Sequence, residues 1–350
     1  YTQFIGEQEN IIRQIALQNQ NVLALMPTGG GKSLCFQFTA KTKTGLVLVV
    51  SPLIALMRDQ VLASTKLGIR AASLNALQSA DEKQSVYQNL KEKYWQLLYV
   101  TPERFRKPEF WEALGDQAIQ LFAVDEAHCI SQWGHDFRPD YSRLGEIRQR
   151  LGNPLTLALT ATATPEVQKD ICESLRMPSA QKILGGVERT NLEVNVVETH
   201  GFSQKIDFLV QHLPKVKSGA QIVYFTLIKT LREAERELTK ARVPFMVYHG
   251  DLPAQKRNLQ QKKFIESENP IMLATPAFGL GIDKKNVRSV VHFELPGSLE
   301  DYYQEVGRAG RDGREGQCGG LRGLRPCGRR CRGRTRADRG AGQQRRHHPR

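Results

Sequence analysis

Short apolar runs punctuate the first half of the chain, at residues 22–26, 46–50, 97–100, 121–124 and, broken only by Thr156, 155–159. Between them apolar residues recur at helical spacing. Runs of this length are too short for core helices, and they lack the alternation of half-exposed strands. They read as strands of a parallel sheet covered on both faces by amphipathic helices. The chain opens on such a helix, with Ile11, Ile12 and Ile15 on one side and Glu9 and Asn10 on the other. Pro52 and Pro165 open two more, running to about residues 67 and 175. The pattern loosens at Gly185-Gly186 and again near 199–203, then restarts. Helices are predicted at 203–213, 231–239 and 253–265, and strands at 222–225, 245–248, 271–274 and 287–293. The expectation is an α/β protein of two tandem doubly wound parallel-sheet domains, 1–200 and 201–316, with a cleft between them.

After Arg311 the pattern stops. From Gly319 onward there is no aromatic residue and no apolar run of even three. Such a segment buries too little surface to offset its ordering entropy, so 317–350 is expected to be a disordered tail. Its Arg- and Gly-rich composition reads as foreign to the domain before it, as an out-of-frame or artificial end would be. Charge follows the same division: eleven arginines and a single acid, Asp338, fall after residue 316, leaving only +4 of the formal +14 for the rest. Cys35, Cys129 and Cys172 stand singly in apolar surroundings, as reduced core cysteines of a cytosolic protein do. Cys318, Cys327 and Cys331 contain no C-x-x-C pair and make a poor zinc spacing, even with His347 and His348. No run reaches the roughly 18 apolar residues of a membrane span, and nothing resembles a signal peptide. Tyr1 in place of an initiator Met reads as a trimmed chain.

Three stretches carry chemistry. The strand at 22–26 leads through Thr28, Gly29, Gly30 and Gly31 into Lys32-Ser33 and an apolar helix start. Glycines let backbone N–H groups converge on an anion. Lys32 would reach the β- and γ-phosphates of a nucleotide, Ser33 would ligate Mg²⁺, and the helix start adds its positive end. The pattern departs from the usual P-loop in having Met26 where the first glycine stands. Next, the strand at 121–124 delivers Asp125-Glu126-Ala127-His128 from its C-terminal end, where α/β sheets place their sites. Asp125 would hold Mg²⁺ and Glu126 would orient and deprotonate the attacking water. Finally, Arg308 and Arg311, separated by small residues and preceded by Gln304, suit neutralisation of a γ-phosphoryl group from the second domain.

Together with Thr160-Ala161-Thr162-Ala163, these stretches resemble the motif set of second-superfamily helicases, whose two domains are RecA-like. The stretch Ala127-His128-Cys129-Ile130-Ser131-Gln132-Trp133-Gly134-His135-Asp136-Phe137-Arg138-Pro139 resembles the aromatic-rich loop of RecQ-type DNA helicases. The resemblance runs from Tyr1 to about Gly316. It implies that Tyr1 and Gln8 recognise adenine, and that Asp283 joins Thr28, Gly29, Gly30, Gly31, Lys32 and Ser33 at the nucleotide. It also implies that Ser51, Pro52, Thr101, Arg104, His249 and Thr275 face the DNA, and that residues 160–164 couple hydrolysis to domain movement. Trp133 and Phe137 suit stacking on unpaired bases, worth about 1–3 kcal/mol each, with His135 beside them and Arg138 on a phosphate. The same aromatics would also serve simply to pin their loop to the domain. Three departures stand out: Ile5 where the family has an arginine, Leu227-Ile228 in place of Ser-Arg, and Pro276 after Thr275.

The resemblance implies an ATP- and Mg²⁺-dependent DNA helicase moving 3′-to-5′, acting in repair and recombination. Single-stranded and duplex DNA would be its partners and the bacterial nucleoid or a nucleus its place, with no membrane. The other reading is a truncated remnant that holds DNA only through its basic tail.

Overall fold

The computed structural model describes residues 3–52, 54–132, 137–186, 189–278 and 284–323. Helix α1 (Gln8–Ala16) leads into β1 (Val22–Leu25), α2 (Lys32–Thr42), β2 (Leu46–Val50), α3 (Ile54–Lys66), β3 (Ala71–Leu74) and α4 (Ala80–Lys91). There follow β4 (Leu97–Val100), α5 (Pro108–Leu114), β5 (Ile119–Val124), α6 (Leu144–Arg150), β6 (Thr156–Thr160), α7 (Pro165–Ser174) and β7 (Gln181–Leu184). The seven strands form one parallel sheet in the order β3-β4-β2-β5-β6-β1-β7. The apolar runs explain it. Leu46, Leu48 and Val50 enter the core on one face of the sheet, while Val47 and Val49 enter the core on the other. Alternation across a pleat buries every side chain of the strand, each worth about 1.5–3 kcal/mol for the larger aliphatics.

The second sheet is built from β8 (Leu192–Thr199), β9 (Ala220–Tyr224), β10 (Met246–Tyr248), β11 (Ile271–Ala274), β12 (Val287–His292) and β13 (Gly316–Gly323). It too is parallel, ordered β10-β11-β9-β12-β13-β8. Helices α8 (Gly201–His212), α9 (Ile228–Lys240), α10 (Ala254–Glu266) and α11 (Leu299–Val306) complete it. Among the described residues no helix is long and apolar enough to cross a membrane.

Two boundaries differ from expectation. Strand β8 pairs with β13 in the second sheet, so the division falls between Leu184 and Leu192, not at residue 200. It is an edge strand with most side chains exposed, including Val194 and Val196, so it lacks the apolar run that marks the other strands. The disorder expected from residue 317 gives way to β13 over 317–323, a strand laddered on both sides by β12 and β8. Cys318 and Leu321 point into the core, each 1% exposed. Backbone pairing on two sides needs no particular side chain, so tertiary context overrides a glycine-rich sequence of poor strand propensity. The remainder of the expected tail, residues 324–350, lies outside the described residues.

Candidate nucleotide and nucleic-acid site

The strand order decides where the chemistry meets. Strands β5, β6 and β1 are neighbours, so the loops leaving their C-terminal ends stand side by side. These carry the Asp125-Glu126 pair, the segment from Thr160, and the glycine loop. The Met26 N–H donates to the Thr160 carbonyl at 2.9 Å, tying two of them together. Gly29 and Gly31 adopt left-handed backbone, φ +83° and +71°, which favours glycine. Gly31 is the N-cap of α2 and offers no side-chain cap, so the helix start keeps its anion-binding character. Gln8 is buried and donates from Nε2 to the Gly30 and Gly31 carbonyls, both at 3.1 Å. A Cβ at Gly31 would lie 2.2 Å from that nitrogen, so this approach requires the glycine. Ile5, exposed at the mouth, donates its N–H to Gln8 Oε1.

Lys32 Nζ lies 3.8 Å from Glu126 Oε1. Asp125 is half-buried. Desolvation, and secondarily the Glu126 charge, push its carboxyl up to about 6 against the pull of Lys32, the Glu126 N–H and the Ser51 hydroxyl. A carboxylate held this uneasily seeks a cation. Among the described residues no cluster of three or more His, Cys, Asp or Glu is arranged for a metal. Mg²⁺ needs none, since it binds through one or two carboxylates plus substrate phosphates and waters. Ser33 and Asp125 beside the glycine cradle therefore fit Mg·ATP. Glu126 stands at φ +48°, a strained setting for a non-glycine residue. His128 Nδ1 is 2.9 Å from Thr160 Oγ1 and 3.4 Å from Glu126 Oε2. Because the Thr160 hydroxyl donates to the Thr162 carbonyl at 3.0 Å, the imidazole must be the donor to Thr160. His128 thus stands between Glu126 and the segment expected to couple hydrolysis to movement.

The arginines arrive from the second domain. Ser298 caps α11 by accepting the Asp301 N–H, and the turn beyond the helix returns to the start of β12, where the Gly310 N–H donates to Val287 O at 2.9 Å. The Arg311 stem lies against the glycine loop: a Cβ built at Gly29 would sit 3.3 Å from Arg311 Cγ. Arg308 is buried, and its Nε finds no partner among the described residues. Gln304 stands partly exposed on the same helix. Behind it, buried His292 bonds Glu305 at 2.7 Å and stacks on Tyr224. Neither this couple nor Arg189 is apparent from motif spacing.

The expected DNA-facing residues gather at strand ends. Ser51 and Thr101 end β2 and β4 and are both buried. The Ser51 hydroxyl bonds Asp125. Arg104 donates to the Asn75 carbonyl at 2.6 Å and Arg138 to that of Pro52 at 3.2 Å. Phe137 is half-buried. In the second domain the Thr275 N–H donates to Tyr248 O, bringing Thr275 and His249 to neighbouring strand ends. Burial, then Arg232, holds the His249 pKa below its ordinary value. Pro276 opens a 3-10 turn, where its missing donor costs nothing. Tyr1, Trp133, His135 and Asp283 lie outside the described residues. Cys318 is a core residue, and burial pushes its thiol up to about 12.

A glycine cradle and acid pair on one parallel-sheet domain, faced by arginines from a second, define a two-domain P-loop motor core. The chain matches the DEAD/DEAH box helicase family over residues 6–171 and the helicase conserved C-terminal domain over residues 204–313. It is 43% identical over 310 residues to the ATP-dependent DNA helicase RecQ of Bacillus subtilis, covering 88% of this chain and 52% of that protein. It is 42% identical over 313 residues to the probable ATP-dependent DNA helicase RecS of the same organism, covering 88% and 62%. The chain thus belongs to the RecQ-type helicase family, and it spans about half to three-fifths of the length of these relatives. The S. cerevisiae Dbp5 structure, at 19% identity, shares the fold with a TM-score of 0.74 over 91% of this chain and 83% of that one.

Proposed function

We propose that this chain is the motor core of an ATP-dependent DNA helicase, coupling hydrolysis at the domain seam to 3′-to-5′ movement along one strand. The observation that carries the reading is Arg311 seated against Gly29, with Lys32, Asp125 and Glu126 converging on the same glycine loop. In this arrangement the glycine-loop amides and Lys32 hold the triphosphate, while Ser33 and Asp125 hold Mg²⁺. A Mg²⁺ held there would supply positive charge against the charge developing on the phosphates. Glu126 is aimed by its strained backbone and takes a proton from the attacking water. Arg308 and Arg311 stabilise charge on the transferred phosphoryl group, a contribution of about 10³- to 10⁵-fold in known motors. His128 and Thr160 pass the state of Glu126 to residues 160–164. Arg104, Phe137 and Arg138 stand over the neighbouring strand ends, where an unpaired strand would lie.

The relatives named DNA helicases support DNA as the track; repair and recombination in a nucleoid or nucleus are the setting we propose. The remnant reading rests on the basic tail, whose residues 324–350 lie outside the described residues. The test is ATP hydrolysis with and without single-stranded DNA, followed by unwinding of duplexes tailed at either end. Stimulation by single-stranded DNA and preference for a 3′ tail are expected. ATP turnover indifferent to DNA would overturn the reading.

A further inference from the structure

We propose that Arg189, in the segment joining the two sheets, is the positioning residue that registers the arginine motif against the glycine loop. This deepens the functional reading above and rests on it. The Arg189 guanidinium donates from Nη1 to the Thr28 carbonyl at 3.2 Å, in the first domain. From Nη2 it donates to the carbonyls of Ala309 at 3.0 Å and Gly310 at 2.9 Å, in the turn that carries Arg308 and Arg311. Its Nε donates to Asn191 Oδ1 at 3.2 Å, and the Asn191 amide in turn donates to Gly310 O and Arg314 O. One planar cation therefore gathers main-chain oxygens from both walls of the seam. A guanidinium offers its donors in a fixed fork, so the carbonyls it joins are held in register. Arg189 touches no reacting atom and acts through the backbone of the residues that do.

Two further observations make this bridge decisive. The glycines of the arginine motif are needed for it: a Cβ at Gly310 would lie 2.4 Å from Asn191 Nδ2, and one at Gly307 would lie 3.2 Å from Thr28 Cβ. Below Arg189 the seam is hollow. A cavity of about 440 Å³ opens between Pro27, Thr162, Leu192, Val194, Tyr302 and Tyr303. Interdigitated side chains normally fix how two bodies sit together. Here that packing is missing beside the bridge, so hydrogen bonds set the register and the domains keep freedom to open and close.

The experiment measures single-stranded-DNA-stimulated ATP hydrolysis by wild-type, Arg189→Ala, Arg189→Lys, Arg311→Ala and the Arg189→Ala/Arg311→Ala double variant, with thermal melting of each. Displacing a catalytic group by an ångström costs up to about 100-fold. Arg189→Ala should accordingly lower kcat by about 10- to 100-fold, with KM for ATP within about threefold and an unchanged melting profile. Arg189→Lys, with one compact donor group, should recover only part of the loss. On the Arg311→Ala background, removing Arg189 should cost several-fold less than in the wild type, because one of the two arginines it positions is already gone. Wild-type kcat in Arg189→Ala, or full additivity in the double variant, would overturn the inference. So would a kcat loss that tracks a lowered melting temperature in both Arg189 variants. A wild-type chain without DNA-stimulated turnover would instead sink the functional reading, which separates the two failures.

Discussion

The two walls of the seam are built differently. In the first domain the glycine loop, the acid pair and Thr160 leave adjacent strands whose residues are mostly apolar and buried. Their positions follow from the sheet itself. In the second domain the arginines hang from a helix and turn fastened by single polar contacts: the Ser298 cap, the His292–Glu305 couple and the Arg189 fork. The strand beside them, β13, carries glycine at 316, 319, 320 and 323. A wall that binds and activates a nucleotide profits from rigidity. A wall that must approach and withdraw profits from a few discrete contacts that can be made and broken.

The largest test of this contrast is chemical. Lys32→Ala or Glu126→Gln should lower ATP turnover by about 10³-fold or more while leaving the melting of both domains intact. Glu126→Gln should still bind ATP, since it removes a base and not a clamp. Substantial turnover in a folded variant would show that the rigid wall is not the site.

A stability test comes next. His292 and Glu305 are buried, with side-chain exposures of 1% and 6%. His292→Ala strands the acid without its partner, which typically costs about 3–5 kcal/mol. Calorimetry should show the second domain melting earlier and the first unmoved. A shift shared by both domains would erase the distinction between the walls.

The third test is pH. Burial and Glu126 raise the Asp125 carboxyl to about 6, so the carboxylate proposed to hold Mg²⁺ is lost as pH falls through that value. Mg²⁺-dependent ATP affinity should therefore fall about tenfold per unit below it. Because the metal favours the ionised form, raising Mg²⁺ should move the midpoint lower. Affinity that is flat from pH 7 to 5 would show that Asp125 does not carry the metal.

The smallest effect lies in the glycine strand. A Cβ at Gly319 meets only Asn195 O at 3.5 Å, an ordinary contact. Gly319→Ala should stabilise the second domain by about 0.5–1 kcal/mol. At Gly316 a Cβ would fall 3.1 Å from Ala309 Cβ and Leu192 Cδ2, so Gly316→Ala should destabilise it. If the two variants behave alike, β13 is not packed as described.

The apolar runs, the glycine loop and the acids at a strand end were legible in the chain because each is local. A buried parallel strand must be apolar on both faces, and an anion cradle needs its glycines next to its lysine. The motif order likewise placed Arg308 and Arg311 in a second domain. Other features depended on partners far away along the chain. The glycines of β13 become a strand only because β12 and β8 supply ladders on both sides. Strand β8 joins the second sheet though its exposed side chains carry no strand signal. Arg189 is one polar residue in a polar linker until the fold brings Thr28, Ala309 and Gly310 within reach of its fork. Ser51, expected at the DNA, turns its hydroxyl to Asp125 because β2 and β5 are neighbours. Local chemistry is written in consecutive residues, whereas backbone pairing and carbonyl contacts carry no residue-specific signal and are decided by the tertiary structure.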